Sequence, residues 1–285
     1  MRAALFFTCT LACLAQVPQT PQELFRRNTE PRDQLNTYFP PHKIAGNLYY
    51  VGSPVLASFL IGTPQGSILI NSSFEATVPT IRKSVEELGF KFSDIRILLG
   101  SHAHGDHMEG DALVKELAGA EVMAMEQDVP ALRNMTPGGK AHPIDKILHD
   151  GDEVKLGGTT LVAHLTPGHS RGCTTWTLKV EDGGKTYDVV IIGSMGVNPG
   201  FVLVNNKDVP QIAEEYERGF RVMRSLKCDI PLGSHGAMYK MAEKYALAKL
   251  AKGPNPFIDP DGYKTEIDIA ENVFRQELAR QKAGK

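Results

Sequence analysis

A dense run of metal-ligand side chains, Ser101-His102-Ala103-His104-Gly105-Asp106-His107, constrains the fold of this chain more than any other feature. Three imidazoles and one carboxylate lie within six consecutive positions, and these groups bind a borderline metal such as zinc. Core packing does not require them together, because each buried polar group would need a partner of its own. The mostly apolar residues 95–99 (IRILL) predict a buried strand before the run, and residues 108–117 predict a helix after it. We therefore expect the ligands at the carboxyl end of a strand, where α/β sheets commonly place their sites.

The composition is that of an ordinary globular protein. Of 285 residues, 42% are hydrophobic and 22% are charged, the net charge is −2, and no stretch is strongly basic. The sequence therefore predicts no nucleic-acid partner. After residue 41, runs typical of strands precede runs typical of helices in each half of the chain. This order predicts an α+β fold in which two similar layers pack face to face within a single domain, 42–285.

The first residues have the composition of a secretory signal peptide. Arg2 supplies a positive charge, and residues 3–15 form an apolar run that is too short to span a membrane as a mature helix. We predict a signal peptide over 1–15 with cleavage after Ala15, and a lipoprotein site at Cys13 is an alternative. The protein is then periplasmic or secreted, without stable membrane association. Residues 16–41 are predicted to form an extended N-terminal segment.

Two further histidines follow predicted strands. His169 comes shortly after a strand predicted at 159–165, and His235 comes shortly after one predicted at 229–232. Both lie next to glycine, which lets the backbone approach a site closely. The chain then offers six candidate ligands, which are too many for one tetrahedral zinc ion and suit two sites with open positions. The other histidines are predicted outside the site: His42, His142 and His149 at the surface or in loops, and His164 hydrogen-bonded within its strand.

Over residues 43–282, these motifs resemble the metallo-β-lactamase superfamily. The resemblance implies a four-layer αβ/βα sandwich, which agrees with the two layers expected from the order of strands and helices. It also implies two zinc ions with three protein ligands each: His102, His104 and His169 for the first, and Asp106, His107 and His235 for the second.

The strand predicted at 187–192 helps to choose among members of the superfamily. Hydrolases such as glyoxalase II and the homoserine-lactone lactonases carry a metal-bridging aspartate at the end of this strand. Here the strand ends in Gly193-Ser194, and Asp188 lies at its far end, too distant at about 3.3 Å per residue to reach the same metals. Among the ligands expected for the second zinc ion, this chain also has a histidine, His235, where cysteine is the alternative. Together with these features, four stretches of the chain resemble the β-lactamases of class B, subclass 3: SHAHGDHMEG, LTPGHSRGCTTWT, GSMGVNPG and CDIPLGSHGAMY.

This resemblance implies zinc-dependent hydrolysis of the amide bond of β-lactam antibiotics by a metal-bound hydroxide, which Asp106 would orient. Ser194 matches the first of two serines that help to bind the substrate carboxylate in such enzymes, whereas Gly196 stands where the second is expected. Two alternatives stay open. One is a zinc hydrolase of the same fold that acts on a lactone or thioester, and the other is a non-catalytic exported zinc-binding protein.

Two cysteines, Cys173 and Cys228, lie outside the predicted signal peptide. Members of the resembled group often pair a cysteine at the position of Cys228 with one in the C-terminal region, but no cysteine follows it here. The sequence favours two free thiols over a Cys173–Cys228 disulfide.

Overall fold

Two β-sheets form the centre of the computed structural model, which describes residues 17–250 and 253–284; the predicted signal peptide lies outside these residues. The strands of the first sheet are β1 (His42–Ala45), β2 (Leu48–Tyr50), β3 (Phe59–Thr63), β4 (Gly66–Ile70), β5 (Ile95–Leu99), β6 (Glu121–Met125) and β7 (Lys146–Leu148). They lie side by side in chain order. Neighbours from β1 to β4 are antiparallel, and neighbours from β4 to β7 are parallel.

The second sheet brings three carboxyl ends of strands to one edge. Its strands are β8 (Glu153–Leu156), β9 (Thr159–Leu165), β10 (Thr174–Asp182), β11 (Lys185–Ile192) and β12 (Ile230–Gly233). Strands β9 and β11 are both antiparallel to β10, and β12 is parallel to β11. Strands β9, β11 and β12 therefore run in the same direction, so the residues that follow them are neighbours.

Helices cover the outer faces of both sheets. The described helices are α1 (Pro21–Thr29), α2 (Val78–Glu87), α3 (Gly105–Met108), α4 (Asp111–Ala118), α5 (Val129–Asn134), α6 (Ile212–Ser225), α7 (Met241–Lys249) and α8 (Pro260–Lys282). Ile81 of α2 and Val114 of α4 pack against Leu69 and Leu98 of the first sheet. Helices α6 and α8 join the core of the second sheet through Phe220 and other apolar side chains.

The main core lies between the two sheets. Side chains alternate between the faces of a strand, so Ile68 and Ile70 of β4 point into this core while Leu69, between them, faces α2. Trp176 of β10 is 1% exposed, and its indole N–H donates to the Gly100 carbonyl of the first sheet at 3.1 Å. The order of layers is helix, sheet, sheet, helix, which confirms the predicted α+β four-layer sandwich.

The N-terminal segment 16–41, predicted to be extended, contains helix α1, so the prediction is wrong there. Thr20 and Glu23 form a capping box at the start of this helix. The Thr20 hydroxyl accepts the Glu23 N–H at 3.2 Å, and the Glu23 carboxylate accepts the Thr20 N–H at 3.2 Å. The two bonds satisfy backbone donors that would otherwise be free at the helix end.

Long-range contacts stabilise helix α1. Leu24 is buried in the main core. The Arg27 guanidinium makes a two-pronged ion pair with the Glu266 carboxylate of α8, with one N···O distance of 2.8 Å. A helix of nine residues is unstable alone in water, so these contacts are needed for it to persist.

Other predictions had mixed outcomes. Cys173 and Cys228 are separate buried thiols, which confirms that prediction. His164 lies on β9 with its Nε2 2.8 Å from the Thr177 hydroxyl, also as expected. His142, expected at the surface or in a loop, lies in a loop but is buried there. Within the described ranges, no helix is both long and apolar enough to span a membrane.

Candidate metal centre

The histidine-rich run lies in the tight loop that leaves β5 and enters the short helix α3. The His104 N–H donates to the His102 carbonyl at 2.8 Å, which folds the loop back on itself. At the end of β4, the side-chain oxygen of Asn71 accepts the Ser101 N–H at 2.9 Å. The Ser101 carbonyl in turn accepts the Thr174 N–H of β10 at 2.8 Å. The loop is therefore held where the two sheets meet.

The first predicted set of ligands comes together in the structure. The ligand atoms of His102, His104 and His169 lie within 4.8 Å of one another. The ring centre of His169 lies 4.5 Å from that of His102 and 4.8 Å from that of His104. The first two residues follow β5 and the third follows β9, so both sheets contribute to the set.

The second predicted set adjoins the first. Oδ2 of Asp106 lies 3.4 Å from Nε2 of His107 and 3.8 Å from Nε2 of His235. The ring centres of His107 and His235 are 4.9 Å apart. Ligand atoms of Asp106 and His107 also lie within 4.8 Å of one on His102. All six predicted residues thus occupy one place, as two adjoining triads.

Burial keeps the imidazoles in the neutral form that binds metal. Desolvation lowers the pKa of His107 and that of His169 to about 3, and it lowers the pKa of His102 well below its ordinary value. Burial alone would raise the pKa of Asp106, but the surrounding histidines outweigh it and lower the pKa. Neutral nitrogens and an ionised carboxylate are the forms that a divalent cation requires.

A backbone carbonyl selects the tautomer of His169. Its Nδ1 lies 2.6 Å from the Gly196 carbonyl oxygen, which can only accept, so Nδ1 carries the proton and Nε2 is the free ligand atom. The Tyr216 hydroxyl donates to the same carbonyl at 3.1 Å. Metal-binding histidines are usually held through their second nitrogen in this way.

Several buried nitrogens of the cluster lack hydrogen-bond partners among the described residues. These are both ring nitrogens of His102 and of His107. Nearly all buried polar atoms in proteins are satisfied, and one left unsatisfied costs about 1–3 kcal/mol. Bound cations would satisfy the nitrogens that face one another, so the residues present fit a metal centre.

The triads open onto a cavity of about 280 Å³. His104, Asp106, His169 and His235 line it, and so does Ser194, which follows β11. The predicted substrate-binding residue therefore lies beside the predicted ligands.

The opposite wall of this cavity was not predicted. Helix α1 contributes Leu24, Phe25 and Asn28, and the turn after it contributes Arg32. The capping-box pattern at Thr20 was a signal that could have revealed the helix, but nothing local shows that it packs over the site.

Sequence reasoning also missed Asp128, which follows β6 and is 4% exposed. Its carboxylate contacts the loops of both His102 and His169, as described below. The available signal was its position just after a predicted strand, which it shares with the predicted ligands.

A larger cavity of about 980 Å³ lies over the outer face of the second sheet. It is lined by residues such as Thr160, His164 and Lys179, and neither metal-ligand triad borders it. We place the candidate site at the smaller cavity, because the ligand triads and their unsatisfied nitrogens converge there.

Solved structures with this architecture are metallo-β-lactamases. Native FEZ-1 metallo-beta-lactamase from Legionella gormanii has a TM-score of 0.84 and 50% identity, over 87% of this chain and 98% of that one. BJP-1, a subclass B3 metallo-beta-lactamase of Bradyrhizobium japonicum, has a TM-score of 0.81 and 35% identity, over 89% of this chain and 98% of that one.

Curated relatives include proteins with other activities. Persulfide dioxygenase ETHE1 of Homo sapiens is 25% identical over 141 residues, which are 49% of this chain and 50% of that protein. Hydroxyacylglutathione hydrolase of Methylobacterium nodulans is 32% identical over 201 residues, 68% of this chain and 65% of that protein. The chain thus spans about half the length of the first relative.

A family model describes the shared region. The model of the metallo-beta-lactamase superfamily matches residues 55–235, a range that contains both triads and the loops that carry them. The chain belongs to the metallo-beta-lactamase superfamily, and the solved structures similar to it include a subclass B3 enzyme.

Proposed function

We propose that this protein hydrolyses β-lactam antibiotics with the help of two zinc ions. The observation that carries the proposal is the pair of adjoining triads that opens onto one cavity beside Ser194. The likeness to class B3 structures supports β-lactams as the substrates.

In this proposal His102, His104 and His169 hold one zinc ion, and the triad of Asp106 holds the other. Bound zinc supplies Lewis acidity, which lowers the pKa of water to about 7 and polarises a carbonyl group. Asp106 is the only carboxylate among the described residues that line the cavity, and its side chain is 25% exposed. It can therefore accept a hydrogen bond from the attacking water and orient it.

The cavity also suits an anionic substrate. Penicillins, cephalosporins and carbapenems carry a carboxylate close to the lactam nitrogen. Arg32 is the only lysine or arginine among the described residues that line the cavity, and no ion pair to a described residue occupies it. Its guanidinium can form a charge-assisted hydrogen bond with that carboxylate, and the Ser194 hydroxyl can add a second contact.

A lactone or thioester hydrolase is the second candidate, and the identity to hydroxyacylglutathione hydrolase favours it. The end of β11 argues against it, because Ser194 stands where a metal-bridging aspartate would be expected. Asp188 does not replace this aspartate, since it lies near the middle of β11, six residues before Ser194, and pairs with Lys179 and Lys227. A non-catalytic zinc protein is less consistent with a cavity that opens beside the triads.

Hydrolysis assays on the protein without residues 1–15 test the proposal. Turnover of a chromogenic cephalosporin and of a carbapenem is measured in the presence of zinc, then after a chelator is added, and then after zinc is added again. We expect turnover that chelation abolishes and zinc restores. A lactoyl thioester and a homoserine lactone are the comparison substrates: turnover of these alone would transfer the assignment to the second candidate. Zinc binding without any turnover would indicate a non-catalytic protein.

We also propose that the protein is exported, because residues 1–15 have the pattern of a signal peptide. Mass analysis of the N-terminus of protein from the producing cells tests this. A chain that begins at Gln16 would support export, a lipid-modified Cys13 would indicate a lipoprotein, and retention of Met1 in the cytoplasm would contradict the proposal.

A further inference from the structure

One buried carboxylate joins the two loops that carry the first triad. Oδ2 of Asp128 accepts the Ala103 N–H at 2.8 Å, and Ala103 lies between His102 and His104. The same oxygen accepts the Ser170 hydroxyl at 3.0 Å. Oδ1 accepts the Gly172 N–H at 2.7 Å. Ser170 and Gly172 belong to the loop that follows β9 and carries His169.

The fit around this carboxylate is close. A Cβ atom built on Gly172 would lie 2.6 Å from both Cβ and Cγ of Asp128, so only glycine fits there. No lysine or arginine among the described residues pairs with Asp128, and its three hydrogen bonds come from two backbone amides and a hydroxyl. All three donors lie within three residues of a histidine of the first triad.

We propose that Asp128 is a positioning residue for the first metal. It fixes the loop of His102 and His104, from the first sheet, against the loop of His169, from the second. The inference rests on the metal assignment of the proposed function but not on the identity of the substrate.

The Asp128→Asn variant tests this role at nearly constant size. An asparagine has one acceptor oxygen, so its NH2 group must face either the Ala103 N–H or donors of the other loop. Loss of such a supporting group typically lowers metal affinity by about 10–100-fold. We expect this loss for the first zinc ion, measured by competition with a chromophoric chelator, and a smaller change for the second. A Co²⁺ spectrum of the substituted protein reports the geometry of the first triad independently of activity.

Two further variants keep the test decisive. Ser170→Ala removes one donor of the three and should lower the affinity for the first zinc ion less than Asp128→Asn does. Asp145→Asn is the matched control, because Asp145 accepts the Val122 N–H at 2.8 Å at the other end of β6, away from the triads. It should leave both zinc affinities unchanged.

The outcomes separate this proposal from the proposed function. Wild-type zinc affinities in Asp128→Asn, even with reduced thermal stability, would overturn the positioning role. Equal losses for both zinc ions would also overturn it, because they would indicate general damage to the fold. Zinc bound as expected without β-lactam turnover would contradict only the proposed function. A wild-type protein that binds no zinc would overturn both.

Discussion

At the scale of single residues, the chemistry of the site depends on which side chains remain charged when they are buried. Burial lowers the pKa of His102, His107 and His169 and keeps them neutral, while the pKa of Asp106 is lowered among them. Arg32 lines the same cavity as this group and is exposed. The ligands determine which metal chemistry is available, whereas Arg32 and Ser194 bear on which substrates can be held.

Substitution Arg32→Ala tests this division of roles. A hydrogen bond to a charged group contributes about 1.5–3 kcal/mol, so KM for a carboxylate-bearing lactam should rise at least tenfold or so while kcat changes little. Arg26→Ala is the control, because Arg26 is exposed on α1 and does not line the cavity. Equal KM values for the two variants, or loss of zinc from Arg32→Ala, would contradict the assigned role.

At the scale of elements, helix α1 makes a wall of the site although it lies far from the ligands in sequence. It is attached by Leu24 in the core and by the ion pair between Arg27 and Glu266. The cavity wall therefore depends on a contact with α8, near the other end of the chain.

Glu266→Gln should loosen this wall. Removing one partner of a fully buried ion pair costs about 3–5 kcal/mol, and we expect about 2 kcal/mol because the Arg27 side chain is 22% exposed. Hydrogen exchange of amides 22–29 should speed up by at least tenfold while that of α2 stays constant. The double variant Arg27→Met/Glu266→Met leaves no unpaired charge and should restore slow exchange. Unchanged exchange in the single variant would show that Leu24 alone holds the helix.

Elements with local signals could be predicted from the sequence, and those that depend on distant contacts could not. Strands β5 and β9 were predicted with the bounds observed, because apolar runs mark them. All six candidate ligands, which the structure brings together, were selected from their residue types and from the strands before them. Helix α1 was missed because its stability comes from partners elsewhere in the chain. Asp128 was missed because its role appears only when two loops from different sheets meet.

At the scale of the whole molecule, a buried charge pair links stability to pH. Nδ1 of His142 lies 3.0 Å from the Pro143 carbonyl, and its Nε2 lies 3.2 Å from both the Met108 carbonyl and Oδ2 of Asp111. Both ring nitrogens face acceptors, so both must carry protons. Burial alone would lower the pKa of His142, but its bonds to Asp111 and the carbonyls outweigh burial and raise it.

This pair predicts a loss of stability as the pH rises. Because the pKa of His142 is higher in the folded protein than in the unfolded chain, the contribution of its charge to stability is complete below about pH 6.5. This contribution is lost as the pH rises through the pKa of His142 in the folded protein. Urea unfolding of the zinc-free protein should show a fall in the free energy of unfolding as the pH rises above about 6.5. The fall in the free energy of unfolding of the wild-type protein should exceed the fall for the His142→Gln variant by on the order of 1 kcal/mol. Parallel curves for the two proteins would contradict a charged His142.

Each triad draws its residues from loops of both sheets. A metal ion bound there would therefore hold the two sheets together as well as take part in the reaction. A ligand that binds only the folded chain adds its binding free energy to stability, and its removal raises the population of open, protease-sensitive forms. A low zinc concentration around the protein would then have two effects: it would remove the activity of each molecule, and it would shorten the lifetime of the folded chain. The supply of metal in the surroundings would set how much of this protein survives, and not only how much of it is loaded with metal.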